Sequence, residues 1–485
     1  MMSLKNSLPQ SYLRRLLGNR AIFIALCLLV ASPHTKAANL LNVYEAAKSS
    51  DAVVGAARAS FAATRQAIPQ ARSALMPQLN ASAQTTWTER SFPGSMITDP
   101  LSPLAGQELP DQEFNDHNYN AQLRQPLLDM NAWFSLGGAK ASVGAARYDL
   151  AGTEQELIVR VVQAYLDVLR AQDLLDSTTS EETAVKRQLE QVQQRFDVGL
   201  VAITDVLESQ AVYDNAVVRR IQADGDQDIF FETLGTLSGD SYDVLDRVSE
   251  RLPIVDPNPT DEEEWVDTAL TQNLGIRAAL EQLTAARRTV RARRAGHYPT
   301  IDATVTQVHS VTGAQNFFGA DTTDQTVYGL QFNLPLYSGG LTRSRTKEAQ
   351  AQKDQAQELL LNQQRNVIRD TRNLYQAVAT DVVRVKARLK AIQSSQSALE
   401  ATQTGYEVGT RNIVDVLQAQ QRLFSSQFDY ADSRYNYVTD LMRLKQVAGS
   451  LIEADLAELN NFMDANDQVT RLVSLRNRTG NTSPN

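Results

Sequence analysis

Hydrophobic and polar positions alternate with a period of two in four short segments and follow a helical period almost everywhere else. After Pro77, apolar residues occupy every second position, and the same alternation returns near residues 118–127, 301–306 and 328–334. Each run spans about ten residues, which is the length that a tilted transmembrane β-strand needs. We therefore predict four strands, joined in pairs by polar loops at 88–117 and 309–325, and a helix over the alanine-rich residues 40–75.

Each pair of strands is followed by a very long helical stretch. Residues 132–198 and 341–408 contain no proline. In the second stretch an apolar side chain occurs at every seventh position: Val378, Val385, Ile392, Leu399 and Tyr406. A sustained heptad repeat predicts a coiled coil. Each long helix is predicted to turn at a Val-Gly pair and to return as a shorter helix, over 203–237 and 413–449.

The chain is internally duplicated. Residues 196–210 align with 406–420, and seven of those fifteen positions are identical. Residues 119–127 align with 328–336, and the Met-Pro pair at 76–77 aligns with the Tyr-Pro pair at 298–299. Three matched blocks in the same order indicate two repeats of about 200 residues. The proline-rich segment 252–260 lies between them and is predicted to be a linker.

The first 37 residues have the features of a secretory signal peptide. Basic residues precede an eleven-residue apolar run at 21–31, which is too short to span a bilayer as a helix, and a small-x-small pattern ends at Ala37. The chain is then predicted to comprise a first repeat (38–240), a linker (241–262), a second repeat (263–450) and a partly disordered tail (451–485). The disorder is expected at 476–485 in particular.

Composition excludes several functional classes. The formal net charge is −9, and removal of five basic residues with the signal peptide makes it about −14. Nucleic-acid binding needs an excess of clustered basic residues, so we expect no nucleic-acid partner. The histidines His117, His297 and His309 lack ligand spacing, and no phosphate-binding or nucleophile motif occurs. We predict no enzymatic activity, no cofactor and no metal.

Four amphipathic strands cannot close a barrel, and open sheet edges are not tolerated in lipid. Several copies of the chain must therefore contribute strands to one barrel. Three copies give twelve strands, enough for a water-filled lumen, which fits the polar side chains on the inward faces. The other interpretation is a periplasmic coiled-coil scaffold that never spans a membrane. Outer-membrane fractionation, heat-modifiable trimers and ion conduction distinguish the channel from the scaffold.

The sequence resembles the TolC-type outer-membrane efflux and secretion proteins over about residues 39–450. The resemblance rests on the duplication, on the strand-end sequences at 125–127 and 334–340, and on the two turn segments 196–210 and 406–420. It implies a trimeric α+β membrane protein, with a twelve-stranded β-barrel in the outer membrane continued by a periplasmic α-helical coiled-coil barrel. It also implies a periplasmic adaptor protein, an inner-membrane transporter of the ABC or RND type, and exported proteins or small toxic molecules as cargo.

The same resemblance implies a gate where the long helices turn. Bonds between inner and outer coiled coils would hold the periplasmic entrance closed, and Asp415 would form a ring of three carboxylates on the threefold axis. A second acidic ring of the family is replaced here by Gln418. The implied gate residues are Thr204, Asp205, Tyr406, Arg411 and Asp415. The implied turn residues that contact the adaptor are Val198, Gly199, Leu200, Val408, Gly409 and Thr410.

Simpler roles remain open for these residues on their sequence positions alone. Gly199 and Gly409 are suited to end helices as C-caps. Asp205 and Asp415 fall in the first turn of a returning helix, where a carboxylate offsets the macrodipole by about 0.3–1 kcal/mol. Asn412 is a candidate N-cap. The five arginines between 287 and 294 are expected to stabilise a helix end or to face phospholipid head groups.

Overall fold

The computed structural model describes residues 38–98, 100–101, 103, 105–108, 111–313 and 322–471. The predicted signal peptide and the predicted disordered end at 476–485 lie outside these ranges. The helices are α1 (Leu40–Ser50), α2 (Ala52–Arg65), α3 (Ala67–Ser73), α4 (Met130–Asp197), α5 (Ile203–Ser238), α6 (Glu262–Gln272), α7 (Leu274–Arg294), α8 (Leu341–Glu407), α9 (Ile413–Ala448) and α10 (Glu453–Asn460). The strands are β1 (Gln78–Arg90), β2 (Gln112–Leu128), β3 (Val244–Val248), β4 (Thr300–Val311), β5 (Thr322–Asn333) and β6 (Met463–Thr470).

The predicted single helix over 40–75 is wrong, because three helices occupy this segment. Asp51 has an extended backbone, and its carboxylate accepts from the Val54 N–H at 2.7 Å, so it starts α2 as an N-cap. The same carboxylate is held by Arg160 at 2.9 Å. The second break, at Gln66, precedes Pro69, which cannot donate a hydrogen bond to the preceding helical turn.

The four predicted strands form one antiparallel sheet in the order β1-β2-β4-β5. They are longer than the predicted ten residues, with 13, 17, 12 and 12 residues respectively, so the connecting loops are shorter than the sequence suggested. Across the polar face, Arg124 on β2 pairs with Asp302 on β4 at 3.0 Å. Within the single chain, β1 and β5 are left as edge strands.

The two long helices and their returning partners form the predicted coiled coils. Helix α4 has 68 residues and α8 has 67, so each is about 100 Å long at about 1.5 Å per residue. The heptad residues Val378, Val385 and Leu399 are buried. Among the described residues, no helix is long and apolar enough to cross a membrane.

A second, two-stranded sheet joins the predicted linker (241–262) to the predicted tail (451–485). Strand β3 pairs antiparallel with β6, and the intervening chain is more than 200 residues long. Both strands contact the main hydrophobic core, which includes Tyr165, Leu245 and Val469. The Tyr165 hydroxyl donates to the Asp246 carbonyl oxygen at 2.6 Å. We call this sheet, with the parts of α4, α8 and α9 packed around it, the waist.

Candidate functional site at the helical tip

Both long helices end in the same backbone turn, and together the two turns form what we call the tip. Gly199 and Gly409 each have a φ of +78°, the left-handed conformation that favours glycine. The Leu200 N–H donates to the Arg195 carbonyl oxygen at 2.9 Å, and the Thr410 N–H donates to the Gly405 carbonyl oxygen at 2.8 Å. These bonds satisfy carbonyl groups at the helix ends, so the two glycines are C-terminal caps.

The two turns differ in how the returning helix begins. Asn412 caps α9 by accepting from the Asp415 N–H at 2.8 Å, and the Asp415 carboxylate accepts from the Asn412 N–H at 3.3 Å. This is a capping box. In the first repeat Ala202 occupies the N-cap position and has no side-chain cap, although Asp205 lies in the first turn. The Asp205 carboxylate is therefore not used for capping, whereas that of Asp415 is.

Charged groups at the second turn are exposed and loosely paired. Arg411 Nη1 lies 3.9 Å from Asp415 Oδ2, and 62% of the Arg411 side chain is exposed. The Arg195 guanidinium from the first turn lies over the Tyr406 ring, 5.0 Å from its centroid. The Tyr406 hydroxyl is buried and has no hydrogen-bond partner within the described part of the chain. Arg195 was not among the predicted site residues, and nothing in its sequence position indicated this contact.

The structure brings all five predicted gate residues to one end of the molecule but does not join them in the implied way. Thr204 is exposed and Asp205 is partly exposed on the first turn of α5. Across the described ranges, no hydrogen bond or ion pair links either residue to Tyr406 or Arg411. The bonds implied by the family resemblance are thus not formed within this single chain, and the gate assignment stays a prediction.

Apolar side chains project from the tip into solvent. The exposed fractions are 70% for Val198, 73% for Leu200 and 68% for Val408. Just behind them, the coiled coils close over a buried cluster that includes Val192, Ile413 and Val416. The exposed apolar residues therefore have no role in this core. Clustered exposed apolar residues are typical of a protein interaction surface.

The waist holds a network of partly buried charges that sequence reasoning missed. Arg247 on β3 contacts three carboxylates, those of Asp173 at 2.9 Å, Asp176 at 2.7 Å and Asp467 at 3.5 Å. The Tyr435 hydroxyl also donates to Asp173, at 2.6 Å. Burial raises the pKa of the Asp173 carboxyl, although Tyr435 and Arg247 oppose this shift. These residues line a cavity of 590 Å³.

A second buried carboxyl lies nearby on α8. Only 2% of the Asp381 side chain is exposed, and Arg384 is its ionic partner at 2.8 Å. Burial raises the pKa of Asp381 to about 6, with Arg384 opposing the shift and the neighbouring Asp440 and Asp432 adding to it. At the waist, the carboxylates of Asp173 and Asp381 are thus largely shielded from solvent, with 15% and 2% of their side chains exposed, in contrast to the exposed charges of the tip.

Comparison with known proteins identifies the family. The family model described as outer membrane efflux protein matches residues 43–240 and 265–450. The chain belongs to the outer membrane efflux protein family. It is 33% identical to the outer membrane protein TolC of Vibrio cholerae, over 90% of this chain and 97% of that protein. It is 28% identical to the alkaline protease secretion protein AprF of Pseudomonas aeruginosa, over 88% of both chains.

The fold agrees with this assignment. The solved structure of the outer membrane channel CmeC of Campylobacter jejuni superimposes with a TM-score of 0.70 and 17% identity, covering 88% of this chain and 90% of that chain. The predicted fold class is thereby confirmed. Four strands per protomer belong to a trimeric twelve-stranded barrel, and the coiled coils continue it as an α-helical barrel.

Membership in this family also establishes location and general function. The protein is an outer-membrane channel-tunnel for efflux and secretion, in the outer membrane of a Gram-negative bacterium. This function replaces the alternative of a coiled-coil scaffold that never spans a membrane. The family is one of transport channels.

Proposed function

We propose that the tip is the periplasmic gate of this channel and that it opens when an adaptor protein binds. The observation that carries the proposal is that few polar bonds join the two turns of the tip: Arg411 pairs at 3.9 Å with Asp415, which lies in its own turn, and the buried Tyr406 hydroxyl has no partner among the described residues. Exposed ion pairs contribute only about 0–1 kcal/mol each. A tip whose two turns are joined by few polar bonds can change conformation at low cost.

In the closed assembly, Tyr406 and Arg411 would bond to Asp205 and Thr204. Asp205 is available because the first turn does not use its carboxylate as a cap. An adaptor that binds the open tip more tightly than the closed one shifts the equilibrium by the difference between the two affinities.

Asp415 would determine which ions enter. Three copies around the threefold axis would form a ring of carboxylates, and such rings favour cations. The capping box orients the Asp415 carboxylate through its bond to the Asn412 N–H. With Gln418 at the position of the family's second ring, one acidic ring would carry the selectivity.

The exposed apolar residues of the tip would dock the adaptor. Val198, Leu200 and Val408 present apolar surface on both turns, and Gly199, Gly409 and Thr410 shape the backbone between them. We propose a periplasmic adaptor of the membrane-fusion class as the partner, working with an inner-membrane ABC or RND transporter. Cargo would be proteins, small toxic molecules, or both.

Single-channel conductance of the purified trimer in a planar bilayer tests the gate. Arg411→Ala, and Tyr406→Phe combined with Asp205→Ala, should raise conductance several-fold because each removes bonds that hold the entrance closed. Arg422→Ala is the matched control, since Arg422 is exposed on α9 without an ion pair among the described residues. Unchanged conductance in both gate variants would contradict the assignment.

Docking and selectivity need separate measurements. Leu200→Ser with Val408→Ser should reduce export in cells and leave conductance in the bilayer unchanged. Asp415→Asn should lower the preference for cations, measured as a reversal potential in a salt gradient. Comparing drug sensitivity with protein secretion after gene deletion would identify the cargo.

A further inference from the structure

A groove of 450 Å³ lies between α4 and α7, close to the barrel. Its lining includes Trp133, Leu136, Lys140, Glu281, Thr284 and Arg288. Helix α4 begins at Met130, two residues after β2 ends, and α7 ends at Arg294, six residues before β4 begins. At about 1.5 Å per residue, Trp133 and Lys140 lie about 5 Å and 15 Å from the start of α4. The groove therefore lies at the depth of the lipid head groups of the periplasmic leaflet.

The cations in and around this groove have no anionic partner within the described ranges. The side chains of Lys140 and Arg288 form no ion pair or hydrogen bond there, and neither do those of Arg287, Arg291 and Arg294 on the exposed surface of α7. In the waist of the same chain, by contrast, one arginine contacts three carboxylates. In an acidic protein, unpaired cations concentrated beside the membrane indicate an external anion.

Close packing of the two helices positions the Arg288 side chain. A Cβ atom at Gly137 would lie 3.4 Å from Arg288 Cδ, and one at Gly138 would lie 3.7 Å from Arg288 Cβ. The aliphatic part of Arg288 thus lies in van der Waals range of α4 at these two positions. Its guanidinium is held at the groove, on the same lining as the Lys140 ammonium. A planar guanidinium with an ammonium beside it is suited to a phosphate group.

The rest of the lining distinguishes the two ends of the groove. Trp133 is 62% exposed and, with Leu136, gives the membrane end an apolar and aromatic wall. Exposed tryptophan at this depth is typical of contact with lipid at the membrane–water interface. Glu281 lies at the other end, next to Gly144, where its carboxylate repels an anion. An anion with an apolar tail therefore fits in one orientation, with the tail toward the barrel.

We propose that this groove binds an anionic phospholipid of the periplasmic leaflet. Lys140 and Arg288 contact its phosphate, and Trp133 and Leu136 contact the glycerol and the first part of the acyl chains. Arg287, Arg291 and Arg294 add to the positive potential around the site. The proposal does not depend on the gate, because it involves none of the tip residues.

Native mass spectrometry of the delipidated trimer, titrated with phosphatidylglycerol or phosphatidylcholine, tests the site. We expect up to three tightly bound phosphatidylglycerol molecules per trimer and much weaker phosphatidylcholine binding. Lys140→Gln with Arg288→Gln should weaken phosphatidylglycerol binding by roughly 25-fold, since each basic residue near an anionic head group contributes about 1 kcal/mol and about 1.4 kcal/mol corresponds to tenfold. Lys140→Gln alone should weaken phosphatidylglycerol binding by about fivefold. Because Lys140 is exposed, this single variant still tests the site if the double variant fails to fold.

Lys186→Gln with Arg187→Gln is the matched control. It removes the same two charges from exposed positions on α4, far along the coiled coil, and should leave lipid binding unchanged. Equal affinity for both lipids, or unchanged binding in the double variant, would overturn the proposal. Inorganic phosphate at millimolar concentration should compete poorly, and full competition would mean an ion site instead. A photo-crosslinker at position 140 should capture phospholipid in cells, and capture of a protein would also overturn it.

Discussion

The waist and the tip are built from the same two pairs of helices, yet they hold charge in opposite ways. At the waist, Arg247 bridges three carboxylates and Asp381 is almost completely buried. At the tip, Arg411 and Asp415 form one exposed pair at 3.9 Å. Removing one partner from a buried pair leaves a desolvated charge, whereas an exposed pair is replaced by water. We therefore expect the waist to resist rearrangement and the tip, where we propose that the channel opens, to rearrange more easily.

The largest expected effect comes from breaking the waist at Arg247. Arg247→Ala leaves the largely buried Asp173 carboxylate without this cation. The protein should be destabilised by roughly 2–3 kcal/mol. This is less than the loss expected for a fully buried pair, because Arg247 is partly exposed. The measurement is the thermal midpoint of the trimer in detergent. Arg251→Ala removes an exposed arginine that has no ion pair among the described residues, and should change the midpoint little. Equal shifts for the two variants would contradict the role of the network.

Asp381 should make the waist sensitive to pH. Its pKa is raised from an ordinary 3.8 to about 6, so the folded protein favours the protonated form. The stability this provides is fully present below about pH 3.8 and is lost as the pH rises through about 6. Asp381→Asn keeps this side chain neutral at every pH. The thermal midpoint of the variant minus that of the unmodified protein should therefore be larger at pH 7.5 than at pH 5. A difference that does not change with pH would contradict this prediction.

The two tip turns should respond in opposite directions to changes at the N-cap. Asn412→Ala removes the capping box and should destabilise the start of α9 by about 1 kcal/mol. Because the helix end then opens more often, its backbone amides should exchange about fivefold faster. Ala202→Asn adds a cap that the first turn lacks and should slow exchange at the start of α5. Hydrogen exchange resolved by peptide measures both. If the two variants shift exchange in the same direction, the difference between the turns is not one of capping.

The smallest effect on stability is expected for Arg411→Ala. Its partner is exposed, so the loss should be under about 1 kcal/mol and should shrink further in high salt. The same variant is expected to raise conductance, which separates a role in gating from a role in stability. A thermal midpoint lowered as far as in Arg247→Ala would show that the tip is not weakly attached.

Much of the fold could be predicted because its periodicities are long and uninterrupted. The alternation in the four strands arises because one face of each strand contacts lipid and the other faces the lumen. The heptad repeat from Val378 to Leu399 arises because these side chains pack in the core of a coiled coil. The tip glycines were also predicted, since a turn between antiparallel helices needs a left-handed residue. The break at Asp51 was missed although aspartate is a favoured N-cap, because its contact with Arg160, more than 100 residues away, leaves no trace in a local pattern.

By itself, the sequence determined the duplication, the types of elements and the family, because each depends on local periodicity or on matched segments. Only the tertiary structure decided which distant residues meet. The β3–β6 sheet, the three carboxylates around Arg247, the Arg195 contact with Tyr406 and the groove at Arg288 all join residues far apart in the chain. Such contacts are determined by how helices cross and pack in three dimensions, and a one-dimensional pattern carries no measure of that geometry.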